Sequence, residues 1–210
     1  MTSAAIVGLL PRTKHWGLHP LAKPLVFVLA LLPLASLVWA VVFDQLGANP
    51  AQALVRATGD WSLRMLCVVL AVTPLRVLTG SPALARFRRM LGLFVYFYVL
   101  LHLLSYSGFD MGFEVADIAK DIAKRPFILV GFSAFVLLTG LALTSFNRAI
   151  KALGGKNWQR LHRVVYLVAG LAILHFYWMR AAKNDFADVL VYAAVLLLLL
   201  GWRALRFINK

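Results

Sequence analysis

The sequence predicts an all-α integral membrane protein, a six-helix transmembrane bundle with both termini in the cytoplasm. Three observations favour this fold class: 62% of the 210 residues are hydrophobic, six apolar segments can each cross a bilayer, and all acidic residues lie in alternate connections. The formal net charge of +14 has a membrane explanation, because the basic residues form short clusters between apolar runs. Nucleic-acid binding would need one continuous basic surface, so that function is excluded.

The six predicted spans follow one another with short connections and form one transmembrane domain, residues 24–208. A basic segment, residues 1–23, precedes the first span and is predicted to be a cytoplasmic tail, and Pro33 is predicted to kink that span. The last span is the weakest, because Arg203 and Arg206 interrupt its end, where they are expected to reach the interface. The spans cover about 24–43, 61–78, 91–109, 127–146, 161–178 and 189–208.

The distribution of charge predicts the orientation of the spans, because Lys and Arg are retained on the cytoplasmic side of a membrane. Four regions are basic and contain no acid: Arg12, Lys14 and Lys23; Arg76, Arg86, Arg88 and Arg89; Arg148, Lys151, Lys156, Arg160 and Arg163; and Arg203, Arg206 and Lys210. The eight acidic residues lie in or beside the other three connections: Asp44, Asp60, Asp110, Glu114, Asp117, Asp121, Asp185 and Asp188. Both termini are therefore predicted to be cytoplasmic.

Two histidines, His102 in the third span and His175 in the fifth, are candidate functional residues. Helical rise places them about 16 to 18 Å and about 21 Å above the cytoplasmic ends of their spans. Ionisable groups at such depth mark functional sites, and two neutral imidazoles at one depth can ligate both faces of a haem iron. Hydroxyl groups one helical turn away, such as those of Tyr98 and Tyr106, are expected to line the pocket or to bond the outer ring nitrogens.

Other interpretations of the histidines stay open. Polar side chains also join membrane helices by hydrogen bonds, and titrating histidines serve proton channels and small transporters. A proton relay is less attractive, because no Asp or Glu lies inside a predicted span. His162, on the same predicted helix as His175, lies at the cytoplasmic edge and is either a cofactor contact or a solvated residue. An ideal helix places the two histidines roughly 140° apart, so they need not share one pocket.

Several motifs together resemble one family of membrane proteins. They are TPLR at 73–76, RRMLGLFVYFYVLLHLLSY at 88–106, LTS at 143–145, LGGKNWQRLHRVVY at 153–166 and HFYW at 175–178. The series is similar to the haem-binding membrane subunits of the bacterial protein-methionine-sulfoxide reductase system, within the ferric-reductase-like transmembrane group. The resemblance covers nearly all of the chain from the first span onward.

The resemblance implies an inner-membrane cytochrome with b-type haem and FMN that carries electrons outward to a periplasmic molybdopterin enzyme, which reduces methionine sulfoxide in oxidised proteins. It also implies that the quinone pool or a cytoplasmic flavin reductase supplies the electrons. By position, His102 and His175 match the haem iron ligands and His162 matches a third family histidine. Larger relatives carry two histidines on each of two helices, so the single histidine of the third helix here fits a flavin, or a second haem with another axial ligand, near the cytoplasmic face.

Five arginines near the predicted cytoplasmic face are candidate contacts for haem propionates or flavin phosphate, through bidentate hydrogen bonds. Membrane topology and lipid headgroups explain each of them equally well. They are Arg76, Arg88, Arg89, Arg160 and Arg163. Within redox biology the alternative function is a ferric reductase or a quinol-oxidising cytochrome b with another acceptor. Outside it, the alternative is a histidine-dependent proton channel or small transporter.

Overall fold

A computed structural model describes residues 19–181 and 184–208, and these residues contain helices but no strands. The predicted tail, residues 1–23, lies largely outside them. Six helical stretches are long and apolar enough to cross a membrane: Ala22–Val42, Pro50–Leu78, Pro82–Asp110, Pro126–Leu143, Gly155–Ala181 and Ala187–Ile208. The protein is therefore a multi-pass membrane protein, and the predicted six-helix all-α fold is confirmed.

The helices are numbered in chain order. They are α1 (Ala22–Val42), α2 (Pro50–Leu78), α3 (Arg88–Ser105), α4 (Val115–Lys124), α5 (Pro126–Leu143), α6 (Asn147–Leu153), α7 (Gly155–Leu161), α8 (Val165–Ala181) and α9 (Ala187–Ile208). A 3-10 turn precedes α3, a π turn follows it, and α4 is a short helix in the connection to α5. The closest pairs are α2 with α3 and α5 with α8, so these four helices form the centre of the bundle.

The start of α2 differs from the sequence prediction. The helix begins at Pro50, eleven residues before the predicted boundary, and the Asn49 side chain caps it by accepting a hydrogen bond from the backbone N–H of Gln52 at 3.1 Å. The charged residues of its first turns hid this part of the helix from a hydropathy-based prediction. Asp60 consequently lies inside α2, so the expectation that no acidic residue lies inside a span was wrong.

The fifth span is not one regular helix as the sequence suggested. A 3-10 turn, His162–Val164, separates α7 from α8, and His162 is the first residue of this turn. The angle expected between His162 and His175 on an ideal helix therefore does not apply, because a 3-10 turn winds more tightly than an α-helix.

Tyr98 joins α3 to α1 and is fully buried. Its hydroxyl donates to the carbonyl of Ala30 at 2.8 Å and accepts from the backbone N–H of Leu34 at 3.2 Å. Residues four apart are hydrogen-bonding partners in a regular α-helix, so the hydroxyl bridges two groups of the α1 ladder beside Pro33. Because hydrocarbon offers these groups no water, this bridge stabilises the contact between the two helices.

Arg203 joins α9 to α2 in a similar way. Its guanidinium donates to the carbonyls of Leu199 and Leu70 and lies over the ring of Tyr166 at 5.7 Å. Four residues after Leu70 comes Pro74, which has no N–H to donate to the Leu70 carbonyl. Arg203 therefore satisfies a carbonyl that proline leaves free, instead of extending to the interface as the sequence suggested.

Candidate functional site

His102 on α3 and His175 on α8 face each other across a cavity of about 450 Å³, referred to below as the histidine cavity. Their ring centroids are 6.3 Å apart and their ring planes meet at 74°. Residues of α2, α3, α5 and α8 line the cavity. The structure thus brings together two histidines that are far apart in the chain, at one depth of the bundle.

Backbone carbonyls of neighbouring helices hold both rings through the same nitrogen. The Nδ1–H of His102 donates to the carbonyl of Val55 on α2 at 2.8 Å, and the Nδ1–H of His175 donates to that of Phe127 on α5 at 2.7 Å. Since a carbonyl can only accept, each neutral ring carries its proton on Nδ1 and keeps a free lone pair on Nε2. Outer hydrogen bonds of this kind orient metal-binding histidines.

The expected hydroxyl partners do not make these bonds. The Tyr98 hydroxyl donates to the Ala30 carbonyl of α1, so the expectation that it lines the histidine pocket or bonds a histidine ring was wrong. Tyr106 does line the cavity, but its hydroxyl donates to Asp121 on α4 at 2.6 Å. The partners are backbone carbonyls instead of the predicted hydroxyl groups, because Nδ1 of each histidine points at the N-terminal turns of α2 or α5.

Two glycines leave room for the imidazole rings. A Cβ atom on Gly59 of α2 would lie 3.0 Å from Cε1 of His102, and one on Gly131 of α5 would lie 2.8 Å from Nδ1 of His175. Favourable contacts between such atoms begin near about 3.5 Å, so a Cβ atom at either position would force the ring to shift. Sequence reasoning missed both glycines, because no local pattern distinguishes them from Gly140, which faces open space.

The spacing of the two rings suits a single metal ion between them. Metal–imidazole bonds are about 2.0–2.1 Å long and each nitrogen lies roughly 1.2 Å from its ring centroid, so the expected centroid separation is roughly 6.4 Å. Within residues 19–181 and 184–208, no three His, Cys, Asp or Glu side chains are grouped to hold a metal ion. A haem iron fits this pair, because the porphyrin itself supplies four ligands.

The basic clusters lie at one end of the bundle, which we call the basic end, and all eight acidic residues lie toward the other, which we call the acidic end. A second cavity of about 520 Å³ lies toward the basic end. Leu66, Val95 and Leu138 line both cavities and so form the wall between them. None of the residues that line the second cavity is acidic. Those predicted from the sequence are His162, Arg76, Arg88, Arg89 and Arg163. Arg160, the fifth predicted arginine, does not line the cavity.

His162 is held differently from the other two histidines. Its ring stacks on Trp158 with centroids 3.9 Å apart, and its Nδ1–H donates to the Trp158 carbonyl at 3.0 Å. Its Nε2 lies 3.2 Å from the hydroxyl oxygen of Ser145, which also contacts the Leu141 carbonyl at 2.7 Å. Because a hydroxyl has one proton, the shorter bond to Leu141 leaves Nε2 of His162 without a strong donor.

Comparison with known proteins assigns the family. The sequence model described as "Ferric reductase like transmembrane component" matches residues 58–173. A relative from Polaromonas naphthalenivorans, named "Protein-methionine-sulfoxide reductase heme-binding subunit MsrQ", is 75% identical over 90% of this chain and 87% of its own length. This chain belongs to the MsrQ family. The resemblance seen in the sequence motifs is therefore confirmed.

Other MsrQ relatives are more distant but cover similar shares of the chain. The one from Herminiimonas arsenicoxydans is 52% identical over 86% of this chain and 83% of its own length. The one from Xanthomonas oryzae is 45% identical over 87% and 85%, respectively. Both have the same name as the first relative. No solved structure is significantly similar to the chain.

Proposed function

We propose that this chain is the haem b-binding electron-transfer subunit of a protein-methionine-sulfoxide reductase system, with the substrate site on a partner protein. One observation carries the proposal: His102 and His175 present free Nε2 atoms across one cavity, with ring centroids 6.3 Å apart. The names of the MsrQ relatives, which describe haem-binding subunits, support it. His102 and His175 would then be the two axial ligands.

When bound, haem supplies a one-electron redox centre, and two protein ligands on its iron favour electron transfer over oxygen binding. The surrounding residues prepare the site for it. The carbonyls of Val55 and Phe127 fix the orientation of the two rings, and Gly59 and Gly131 provide the space that the rings need. Apolar side chains at the basic end of the cavity, such as the buried Val168, exclude water.

The second cavity is the proposed relay between a cytoplasmic donor and the histidine pair. Four guanidiniums without any lining acid suit an anionic ligand, either the phosphate of FMN or the propionates of a second haem. His162 is the one histidine among the residues that line this cavity, so a second haem with His162 on one face would need another kind of ligand on the opposite face. FMN needs no such ligand. Arg160 lies outside the lining and suits the lipid headgroups at the membrane surface.

We place the chain in the bacterial inner membrane with its basic end and both termini in the cytoplasm, following the retention of Lys and Arg on that side. The histidine cavity then lies toward the periplasm, where a molybdopterin-containing methionine sulfoxide reductase would accept the electrons. The donor would be the quinone pool or a cytoplasmic flavin reductase. Lipid would cover the exposed leucines of α9, such as Leu197 and Leu198.

Absorption spectra of the purified protein and three variants test the ligand assignment. We expect a low-spin bis-imidazole spectrum that His102→Ala and His175→Ala each abolish or greatly weaken. His19→Ala is the control, because the His19 ring lies before α1, is exposed and accepts a hydrogen bond from the backbone N–H of Leu21. An unchanged spectrum in either cavity variant would reject the assignment.

The family description favours a second candidate function, a ferric reductase or a quinol-oxidising cytochrome b with another acceptor. Both functions would use the same histidine pair, so the acceptor decides between them. Electron delivery to methionine sulfoxide through a co-purifying molybdenum subunit supports the first proposal, and delivery to a ferric chelate alone supports the second. Colourless protein that conducts protons in liposomes would instead support the channel hypothesis.

A further inference from the structure

The histidine cavity has one apolar end and one charged end. Toward the basic end of the bundle its wall is formed by Leu66, Val95, Leu138 and Val168. Toward the acidic end it is lined by Asn49, Gln52, Arg56, Asp60, Asp110, Arg125 and Arg180. The three arginines are the cationic side chains among the lining residues apart from the histidine pair. None of them was among the arginines selected from the sequence.

Carboxylates position two of these arginines at the mouth of the cavity. The Nε–H of Arg125 donates to Asp121 at 2.9 Å, and Asp121 also accepts from Tyr106. Arg180 donates to Asp185 at 2.5 Å and to Asp188 at 3.5 Å, and it lies over the ring of Phe176 on its own helix. A guanidinium has five N–H donors, so these bonds leave donors for a further carboxylate.

Arg56 differs from the other two arginines. Its side chain is exposed, and the ion pairs within residues 19–181 and 184–208 do not include it. It lies one turn before Gly59 on α2, and thus close to the glycine against which the His102 ring packs. Its charge acts on Asp60, one turn further along α2, without an ion pair between them, so its N–H donors stay free for an anionic ligand.

The chemistry of haem b decides which edge of the ligand faces this end. Its two propionates lie on one edge of an otherwise apolar ring, and a buried carboxylate is costly unless it is paired and hydrogen-bonded. The apolar end of the cavity has no such partners, whereas the charged end has three guanidiniums. Asp60 and Asp110 also line that end, so a propionate is accepted only where a guanidinium screens it from these acids.

We propose that Arg56, Arg125 and Arg180 form the carboxylate-binding rim of the haem site, with the haem propionates directed toward the acidic end of the bundle. The inference rests on the proposed function, because it needs haem between His102 and His175. It assigns the propionate contacts of this cavity to arginines that differ from the five selected from the sequence, four of which line the second cavity instead.

The experiment compares haem with its dimethyl ester, in which both propionates are uncharged. Each ligand is loaded into the full-length wild type and into Arg56→Gln and Arg125→Lys, and its loss to excess apomyoglobin is timed. We expect Arg56→Gln to speed haem loss about tenfold, the equivalent of one charge-assisted hydrogen bond, and to leave ester loss unchanged. Arg56→Gln is the cleanest variant because it breaks no ion pair.

One arginine serves as a matched control. Arg64 lies on the same helix as Arg56, is exposed, and donates to the Tyr192 hydroxyl at 2.9 Å without lining the cavity. We expect Arg64→Gln to leave the ratio of the two dissociation rates at its wild-type value.

The outcomes separate this inference from the proposed function. Equal acceleration of haem and ester by Arg56→Gln, or no effect of either rim variant, would overturn the rim. A haem-selective effect of Arg64→Gln as large as that of Arg56→Gln would also overturn it, because Arg64 does not line the cavity. A wild-type haem spectrum in His102→Ala would instead refute the proposed function, whichever arginine variant responds.

Discussion

Replacing Gly131 with alanine should weaken haem binding while the fold stays intact. The added Cβ would lie 2.8 Å from Nδ1 of His175 and 2.9 Å from Cε1. These distances are roughly 0.6–0.7 Å shorter than the lower limit of favourable contact. The ring must therefore move, and a move of this size also strains its 2.7 Å hydrogen bond to the Phe127 carbonyl.

The size of the effect follows from where the strain falls. In haem-free protein the His175 side chain can rotate away from the new methyl group, but a ring bound to iron is fixed at both nitrogens. Overpacking of this kind costs about 1–3 kcal/mol, and about 1.4 kcal/mol corresponds to a tenfold change in affinity, so we expect about 5- to 150-fold weaker haem binding. Gly59→Ala should lie at the low end, because its closest contact is 3.0 Å.

Haem titration of the haem-free protein measures this loss, and Gly140→Ala provides the control. Gly140 lies on the same helix as Gly131, but a Cβ there meets no atom within 4 Å. Alanine in a helix is favoured over glycine by about 1 kcal/mol, so the control should be at least as stable as the wild type. Wild-type affinity in Gly131→Ala, or an equal loss in Gly140→Ala, would refute the contact with His175.

Three further predictions concern the helix contacts and the relay. Tyr98→Phe should lower the free energy of unfolding in mixed detergent by about 1–3 kcal/mol, because two α1 backbone groups lose their bridge. The exposed control Tyr177→Phe should change it by less than about 1 kcal/mol, and equal losses would contradict the prediction. Arg203→Met should cost a similar amount by leaving an α2 carbonyl unpaired, and adding Pro74→Ala should restore stability, because residue 74 regains its N–H; a double variant no more stable than the single one would count against it. His162→Ala should slow electron flow from the cytoplasmic donor without changing the spectrum of the histidine-pair haem, and unaltered flow would remove His162 from the relay.

Hydropathy was sufficient to locate the six spans, because their central turns face lipid or apolar neighbours. It failed at the start of α2, where Arg56 and Asp60 resemble a loop. In the structure both residues are helical and line the histidine cavity. Their environment is a tertiary property, so a window of local sequence could not reveal it.

The histidine pair was predictable from depth alone, but its surroundings were not. The carbonyls of Val55 and Phe127 leave no mark in the sequence, because any residue provides one. Gly131 and Gly140 lie on the same apolar helix and have similar sequence surroundings. They differ only in the folded protein, where His175 of α8 packs against Gly131 and no atom lies close to Gly140. The clusters of basic residues likewise predicted anion contacts at the basic end, whereas Arg56, Arg125 and Arg180 are scattered among acidic residues and form no such cluster in the sequence.

The most direct test of whether His102 and His175 ligate one iron is the electron paramagnetic resonance spectrum of the oxidised, haem-loaded protein. The two rings meet at 74°, and nearly perpendicular axial imidazoles leave two iron d orbitals close in energy, which produces a strongly anisotropic low-spin signal. We predict this signal in the wild type and a high-spin signal in both His102→Ala and His175→Ala. A high-spin wild type, or a low-spin signal that persists unchanged in either variant, would contradict the shared iron.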